Sequence, residues 1–146
     1  LDENKVVKKI ETNSFFKNQK VIIFGVPGAF TAVCSAKHLP GYVNNFQEAK
    51  KKGVTKIICI SVNDPFVMKA WGKEHNVENK ILMAGDPFCN FIKEIGAEID
   101  KSEKGLGLRS SRFAMFLENG VVKKLKEERD TASCEISAAE NFLKEI

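Results

Sequence analysis

The sequence has few of the residue patterns that build metal centres, disulfide frameworks or membrane spans. Of its 146 residues only four are cysteine and two are histidine, and no two cysteines are close enough for a CxxC motif or a zinc site. The longest apolar runs are far too short to cross a membrane. We therefore expect no metal centre and no membrane association, with the cysteines as free thiols in a reducing intracellular compartment.

The charged residues also exclude some partners. The net charge is +4, and the only dense run of lysines is Lys50, Lys51 and Lys52 at the end of a predicted helix. Lysines in that place usually belong to a solvated face. Because aromatic interleaving and a known motif are both missing, we expect no nucleic-acid partner. Mild basicity suits the attraction of a small anion or an acidic protein partner.

The length predicts one domain, residues 1–146, with one core. The N-terminal residues lack the apolar segment of a signal peptide. The chain begins with Leu1 rather than Met, so we expect a processed or trimmed protein. The cytosol and an organelle matrix, plastid or mitochondrion, reached with loss of a transit peptide, both stay open.

Strands and helices alternate along the predicted chain, which favours an α/β fold with a mixed sheet covered on both faces. Continuous apolar runs and alternating segments predict five strands: residues 21–26, 56–62, 81–84, 113–118 and 121–125. The last two are predicted to form a hairpin across Asn119 and Gly120, a type I′ turn signal.

Helix boundaries are predicted from capping residues. Asp64 followed by Pro65 predicts a helix to about His75, and Asp86 with Pro87 repeats that signal for a helix ending at Gly96.

Four further features are predicted elsewhere in the chain. Pro40 and Gly41 should interrupt the helix that follows residue 31, and its continuation should end at Gly53. Residues 105–111 are predicted to form a loop, and Ser137 with Glu140 a capping box for the last helix, which runs to residue 146.

The most informative segment is residues 27–35, PGAFTAVCS, directly after the first predicted strand. A helix that begins after Thr31 places Cys34 in its first turn, where unpaired N–H groups and the helix dipole favour negative charge. A thiol there is shifted toward the nucleophilic thiolate. Thr31 can face the same pocket as the sulfur, and Pro27 shields one side from water. The pattern indicates thiolate attack on a small polar molecule.

Three segments in the same order resemble the peroxiredoxins. Residues 27–42 (PGAFTAVCSAKHLPGY) contain the P-x-x-x-T-x-x-C pattern and resemble the type II, or peroxiredoxin 5-like, branch. Residues 59–71 (CISVNDPFVMKAW) are similar to its plant-type form. Residues 112–120 (RFAMFLENG) are similar to the family's arginine-bearing strand and hairpin. Together these segments cover the chain from about residue 20 to its end.

The resemblance implies a thioredoxin-like fold and a thiol-dependent peroxidase that reduces hydrogen peroxide and alkyl hydroperoxides. Cys34 would become a sulfenic acid, with no metal, haem or flavin. An external thiol would recycle it, either glutathione with glutaredoxin or thioredoxin. The resemblance also implies a small homodimer. A non-enzymatic peroxide sensor that passes oxidation to a partner protein is the alternative, and the missing CxxC counts against a general thiol–disulfide oxidoreductase.

The same resemblance indicates which arginine provides the positive charge of the site. The family's active-site arginine stands directly before the Phe of its strand, which points to Arg112 rather than Arg109. A guanidinium cannot deprotonate and presents a fixed fork of donors. It would hold the thiolate ionised and polarise the peroxide. His38, four residues after Cys34, is read as a local hydrogen-bonding group rather than a base.

Two other cysteines are candidates to resolve the sulfenic acid. Cys59 follows Cys34 by the spacing of the second cysteine in plant-type relatives, but its strand predicts a buried structural thiol. Cys134 lies in a polar loop, two residues short of the position that the resemblance assigns to a resolving cysteine, which Ile136 occupies. A one-cysteine cycle is therefore the first choice, and Cys89 is expected to pack in the core.

Overall fold

The computed structural model describes residues 6–146, and within that range seven strands form a five-stranded and a two-stranded sheet. The strands, in chain order, are β1 (Lys20–Gly25), β2 (Lys56–Ser61), β3 (Leu82–Gly85), β4 (Glu98–Asp100), β5 (Leu108–Ser110), β6 (Phe113–Glu118) and β7 (Val121–Glu127). The larger sheet has the order β3-β2-β1-β6-β7, which places β1 at its centre.

The larger sheet is mixed, as the sequence predicts. Strand β1 runs parallel to β2, with Ile23 opposite Ile58, and antiparallel to β6, with Ile23 opposite Met115. Strand β2 is parallel to β3, and β6 is antiparallel to β7. The apolar runs that predicted β1 and β2 are continuous because both strands are covered on both faces.

Helices of different length connect these strands. The helical segments are α1 (Thr12–Phe15), a π-helical segment (Cys34–His38), α2 (Leu39–Asn44), α3 (Phe46–Lys51), α4 (Pro65–Glu74), α5 (Asn90–Glu94), α6 (Ala139–Phe142), and 3₁₀ turns at Ser102–Lys104 and Leu143–Glu145. None of the helices described is long and apolar enough to cross a membrane.

The side chains on the two faces of the central strand, β1, pack in two separate hydrophobic cores. Ile22 and Phe24 of β1 pack in one core, which α2, α3, α4 and α6 also enter. Val21 and Ile23 point to the opposite face, where Ile92 of α5 is buried. Side chains alternate between faces along a strand, so the apolar run of β1 supplies both cores. The prediction of a sheet covered on both faces is confirmed.

Several local predictions are also confirmed. Asn119 and Gly120 have φ of 50° and 76°, the two positive values that a type I′ turn requires. The side chain of Asp64 accepts hydrogen bonds from the N–H groups of Phe66 and Val67 and so caps α4. Gly53 follows α3 with φ of 86°, a conformation that favours glycine.

The predicted loop at residues 105–111 is wrong in part, because residues 108–110 form β5, which pairs antiparallel with β4. The capping box is also wrong. Ser137 is buried, and its hydroxyl donates to Glu128 at 2.9 Å instead of capping α6, which follows Ala138. Glu128 lies nine residues earlier in the chain, so the local pattern does not reveal this bond.

Two helix boundaries need correction. The helix does not stop at Pro40 and Gly41: helical backbone runs from residue 32 to residue 44. Pro40 is the second residue of α2, directly after the π-helical segment, where the backbone changes from the π-helical to the α-helical pattern. The helix that Asp86 was expected to cap does not begin at the next residue, Pro87. Its carboxylate accepts from the N–H groups of Asn90 and Ile92, and α5 begins three residues later than a direct cap would place it.

The carboxyl ends of the parallel strands β1, β2 and β3 meet at one edge of the sheet. The residues that follow them there include Pro27 after β1, Asn63 after β2 and Asp86 after β3. This edge carries the segment that the sequence marks as reactive.

Candidate active site

The segment after β1 is held by contacts that fix its backbone. The N–H of Ala29 donates to the side-chain oxygen of Asn63 at 3.0 Å, and the hydroxyl of Ser61 donates to the same oxygen at 2.6 Å. Phe30 has φ of 62°, an uncommon conformation for a bulky side chain, and its ring is 52% exposed. A strained residue persists where the surrounding contacts over-determine it.

Cys34 lies at the start of the helix that this segment opens. Helical backbone begins at residue 32, so Cys34 is in the first turn as predicted. The residue is fully buried. The hydroxyl oxygen of Thr31 lies 2.9 Å from its sulfur and 2.7 Å from the carbonyl oxygen of Gly28. A hydroxyl carries one hydrogen, so Thr31 donates to only one of these two groups at a time.

Arg112 supplies the cation beside the sulfur. Its Nη2 lies 3.3 Å from the sulfur of Cys34, and the side chain is only 2% exposed. Nε and Nη2 donate to the carbonyl oxygen of Thr131 at 3.1 and 2.9 Å, and Nη1 donates to Nδ1 of His38 at 3.1 Å. These bonds use four of the five N–H donors of a guanidinium.

The groups around the buried positive charge of Arg112 are unusual. No ion pair of this guanidinium with a carboxylate is present among residues 6–146. Its contacts are two neutral groups, a carbonyl and an imidazole, together with the sulfur of Cys34. A buried cation is costly without a compensating anion. The thiolate of Cys34 is the group in contact that can provide that charge.

His38 is neutral in this site. It is fully buried, and burial together with the Arg112 charge lowers its pKa to about 3, against the opposing effect of its hydrogen bond to Ser137. Nε2 donates to the carbonyl oxygen of Ser137 at 3.2 Å, and the hydroxyl of Tyr42 donates to the same oxygen at 2.8 Å. This tautomer leaves Nδ1 to accept from Arg112, so His38 is a hydrogen-bonding group and not a free base.

Arg109, the rival candidate, forms its hydrogen bonds within the described residues with backbone carbonyl groups. Its Nε donates to the carbonyl oxygen of Leu106 at 2.8 Å, and its Nη1 lies 3.4 Å from the carbonyl oxygen of Pro27. Pro27 itself is buried directly after β1. The structure therefore brings Thr31, Cys34 and Arg112 together, whereas Arg109 bonds the backbone at Pro27.

All four cysteines are free thiols, and the three other than Cys34 lie in different surroundings. Cys59 is fully buried in the core that also contains Cys34, and burial, with the Cys34 charge second, raises its pKa well above the ordinary value. Cys134 is half-buried in the loop after β7. Burial raises its pKa as well, and the nearby Arg112 charge opposes this. Cys89 is buried beside α5, as expected.

Sequence reasoning missed the residues that support this site from a distance. Asn63, Glu128 and the carbonyl groups of Thr131 and Ser137 all contact the site or its supports across long separations in sequence. No short pattern marks a backbone carbonyl as a ligand of a guanidinium. Among residues 6–146, no group of His, Cys, Asp and Glu is arranged to hold a metal ion.

Comparison with known proteins identifies the family. The family model described as Redoxin matches residues 2–143. Peroxiredoxin-2D of Arabidopsis thaliana is 43% identical over 145 residues, which cover 99% of this chain and 89% of the relative. Relatives named as chloroplastic and mitochondrial peroxiredoxins are 42% and 38% identical.

Solved structures agree with the sequence matches. Reduced Prx3 from Vibrio vulnificus in complex with hydrogen peroxide has 47% identity and a TM-score of 0.86, and the match covers 91% of this chain and 82% of that one. The antioxidant protein (1-Cys peroxiredoxin) of Plasmodium falciparum has 33% identity and a TM-score of 0.87, over 94% and 85% of the two chains. These matches confirm the thioredoxin-like fold.

The chain therefore belongs to the Redoxin family and, within it, to the type II peroxiredoxins. It is a thiol-dependent peroxidase, an oxidoreductase of a class that needs no prosthetic group.

Proposed function

We propose that the thiolate of Cys34 attacks the terminal oxygen of hydrogen peroxide or an alkyl hydroperoxide. A sulfur–oxygen bond forms, the O–O bond breaks, and the leaving oxygen departs as hydroxide or alkoxide and takes up a proton. The sulfur becomes a sulfenic acid. The observation that carries this proposal is the buried guanidinium of Arg112, 3.3 Å from the sulfur and without a carboxylate partner among the described residues.

Thr31 and Arg112 have distinct roles in this reaction. Arg112 stabilises the thiolate before attack and the charge that develops on the leaving oxygen during it, because one of its N–H donors has no acceptor among residues 6–146. The Thr31 hydroxyl, next to the sulfur, orients a peroxide oxygen. Pro27 closes one side of the pocket after β1. The hydrogen peroxide in the solved complex of the Vibrio vulnificus relative supports this choice of substrate.

We further propose a one-cysteine cycle. An external thiol, glutathione with glutaredoxin or else thioredoxin, attacks the sulfenic acid, forms a mixed disulfide and releases water, and a second thiol then restores Cys34. The raised pKa of both Cys59 and Cys134 supports this cycle, because it leaves each of them mainly as the less nucleophilic thiol. A reducing compartment, cytosol or organelle matrix, follows from the need for such reductants.

The assembly is proposed to be a homodimer of a single thioredoxin-like domain. Three phenylalanines follow the carboxyl ends of β1, β2 and β3 and are exposed: Phe30 by 52%, Phe66 by 57% and Phe88 by 78%. Large exposed apolar side chains at one edge are typical of an interaction surface. Sedimentation of the wild type and of Phe88→Asp tests this, and a wild type that stays monomeric at micromolar concentration contradicts it.

The experiment that tests the function is intact-mass analysis after one equivalent of hydrogen peroxide, with turnover assays on the same samples. We expect Cys34→Ser to abolish peroxidase turnover and oxidation. We expect the wild type, Cys59→Ser and Cys134→Ser to gain one oxygen each, and to form a glutathione adduct when glutathione is added.

Two outcomes contradict parts of the proposal. Full turnover by Cys34→Ser overturns the function itself. A loss of two hydrogens in the wild type that disappears in Cys59→Ser or in Cys134→Ser overturns the one-cysteine cycle and identifies the resolving residue.

A further inference from the structure

The loop after β7, residues 128–137, is tied together by one carboxylate oxygen. Oε1 of Glu128 accepts from the N–H of Glu135 at 2.7 Å, from the N–H of Ser137 at 2.9 Å and from the hydroxyl of Ser137 at 2.9 Å. The N–H of Glu128 donates to the carbonyl oxygen of Arg112 at 2.9 Å. A carboxylate with three donors closes the loop from its first residue to its last.

The same loop provides the acceptors that orient the site. The carbonyl oxygen of Thr131 accepts two bonds from the guanidinium of Arg112. The carbonyl oxygen of Ser137 accepts from Nε2 of His38, whose Nδ1 accepts from Nη1 of the same guanidinium. Three of the four hydrogen bonds that fix Arg112 therefore depend, directly or through His38, on where this loop lies.

We infer that Glu128 is a positioning residue for the peroxidase reaction: by closing the 128–137 loop it holds Arg112 against the sulfur of Cys34. This inference rests on the function proposed above. Among residues 6–146, no hydrogen bond joins the carboxylate of Glu128 to the sulfur of Cys34 or to the guanidinium of Arg112, so its carboxylate acts through the loop that carries the carbonyl groups of Thr131 and Ser137. A shift of the guanidinium by a fraction of an ångström is enough to weaken transition-state stabilisation.

Other contacts of the loop set the size of the effect. The ammonium of Lys101 donates to the hydroxyl of Thr131 at 2.6 Å, and Asp130 accepts from the N–H of Ala132 at 2.9 Å. These bonds hold the middle of the loop when its ends are released. Loss of the Glu128 bonds should therefore displace Arg112 rather than expel it.

The test compares Glu128→Ala with Glu128→Gln, and uses Glu127→Ala as the matched control. Glu127 is the exposed neighbour, so its replacement removes the same charge without opening the loop. We expect Glu128→Ala to lower the rate constant of Cys34 with hydrogen peroxide by about tenfold. Glu128→Gln should stay within about threefold of the wild type, because the amide oxygen can still accept these bonds.

A double-mutant cycle separates positioning from a general loss of structure. In an Arg112→Met background there is no guanidinium to position, so Glu128→Ala should have no further effect on the peroxide rate. A purely structural effect would lower the rate in both backgrounds. Urea unfolding of each variant monitors the folded fraction.

Two results overturn the inference. One is a peroxide rate for Glu128→Ala equal to that of Glu127→Ala while Arg112→Met is slow, which leaves the proposed function intact. The other is an equal loss in both backgrounds of the cycle. A failure of the function itself gives a different pattern, because Cys34→Ser would then still reduce peroxide.

Discussion

Replacement of Arg112 by Met should slow the reaction of Cys34 with hydrogen peroxide by about a hundredfold. Two unit charges at 3.3 Å, the separation of Nη2 and the sulfur, attract by about 5 kcal/mol at an effective dielectric constant of about 20. The guanidinium charge is delocalised over three nitrogens, so we expect about half of that energy, ~2–3 kcal/mol, to be lost. Each 1.36 kcal/mol corresponds to about tenfold in rate.

The assay can use the tryptophan next to the site. Trp71 is the single tryptophan of the chain, is fully buried, and its indole N–H donates to the hydroxyl of Ser35 at 3.0 Å. Because Ser35 follows Cys34 directly, oxidation of the sulfur should change the fluorescence of Trp71. Stopped-flow fluorescence against peroxide concentration then gives the second-order rate constant.

Arg109→Met is the matched comparison for this measurement. It removes the same side chain from a position where the guanidinium bonds the carbonyl groups of Leu106 and Pro27 and not the sulfur of Cys34, within the part of the chain that the structure describes. We expect its rate constant to fall by less than about tenfold. An Arg112→Met variant that reacts as fast as the wild type would refute the electrostatic reasoning. A larger loss in Arg109→Met would reverse the assignment of the two arginines.

Three further outcomes follow from the geometry. Thr31→Val should lower the peroxide rate constant by about tenfold or more. Thr31→Ser should not, because serine keeps the hydroxyl beside the sulfur. Equal rate constants for the two variants in stopped-flow fluorescence would contradict this. The pKa of His38 is about 3 in the folded protein and 6.5 in the unfolded chain, so the unfolded chain binds a proton first as the pH falls. The free energy of unfolding therefore decreases between pH 6.5 and pH 3, by about 2 kcal/mol at pH 5. Urea unfolding at pH 7 and pH 5 should show a smaller decrease in His38→Gln than in the wild type. Gly25→Ala should destabilise the protein by about 1–3 kcal/mol, since the added Cβ would overlap the ring of Phe113; an unchanged midpoint in urea would argue against this close approach.

The parts of the fold that the sequence predicts are those with a strong local pattern. Strand β1 is a continuous apolar run because both of its faces are covered, and the hairpin is marked by Asn119 and Gly120. Strands β4 and β5 were not predicted. Each has three residues, mostly partly or fully exposed, too few to show an alternation between faces.

The candidate site divides in the same way. Thr31 and Cys34 lie three residues apart on one turn, so their proximity follows from helix geometry alone. Arg112 was found through the resemblance of its segment. The bond between Ser137 and Glu128 could not be predicted, because a serine followed three residues later by a glutamate fits a capping box equally well.

The π-helical segment shows why the boundary at Pro40 was mispredicted. Proline in a helix interior normally breaks the helix, since it lacks the N–H and its ring meets the preceding turn. Here a wider turn, Cys34–His38, comes directly before it, and helical backbone continues to residue 44. Single π-helical turns within α-helices are frequent at functional sites, and this one contains both Cys34 and His38.

In the loop after β7, one short stretch of backbone carries both an anchor of Arg112 and a cysteine. Thr131, whose carbonyl anchors the guanidinium, and Cys134, the half-buried thiol, are three residues apart. A disulfide from Cys134 to Cys34 would tie this same stretch of backbone to the reacting sulfur, and so couple the anchor of the guanidinium to every catalytic round. Under the one-cysteine cycle proposed above, a reductant that arrives from solution would leave that anchor in place.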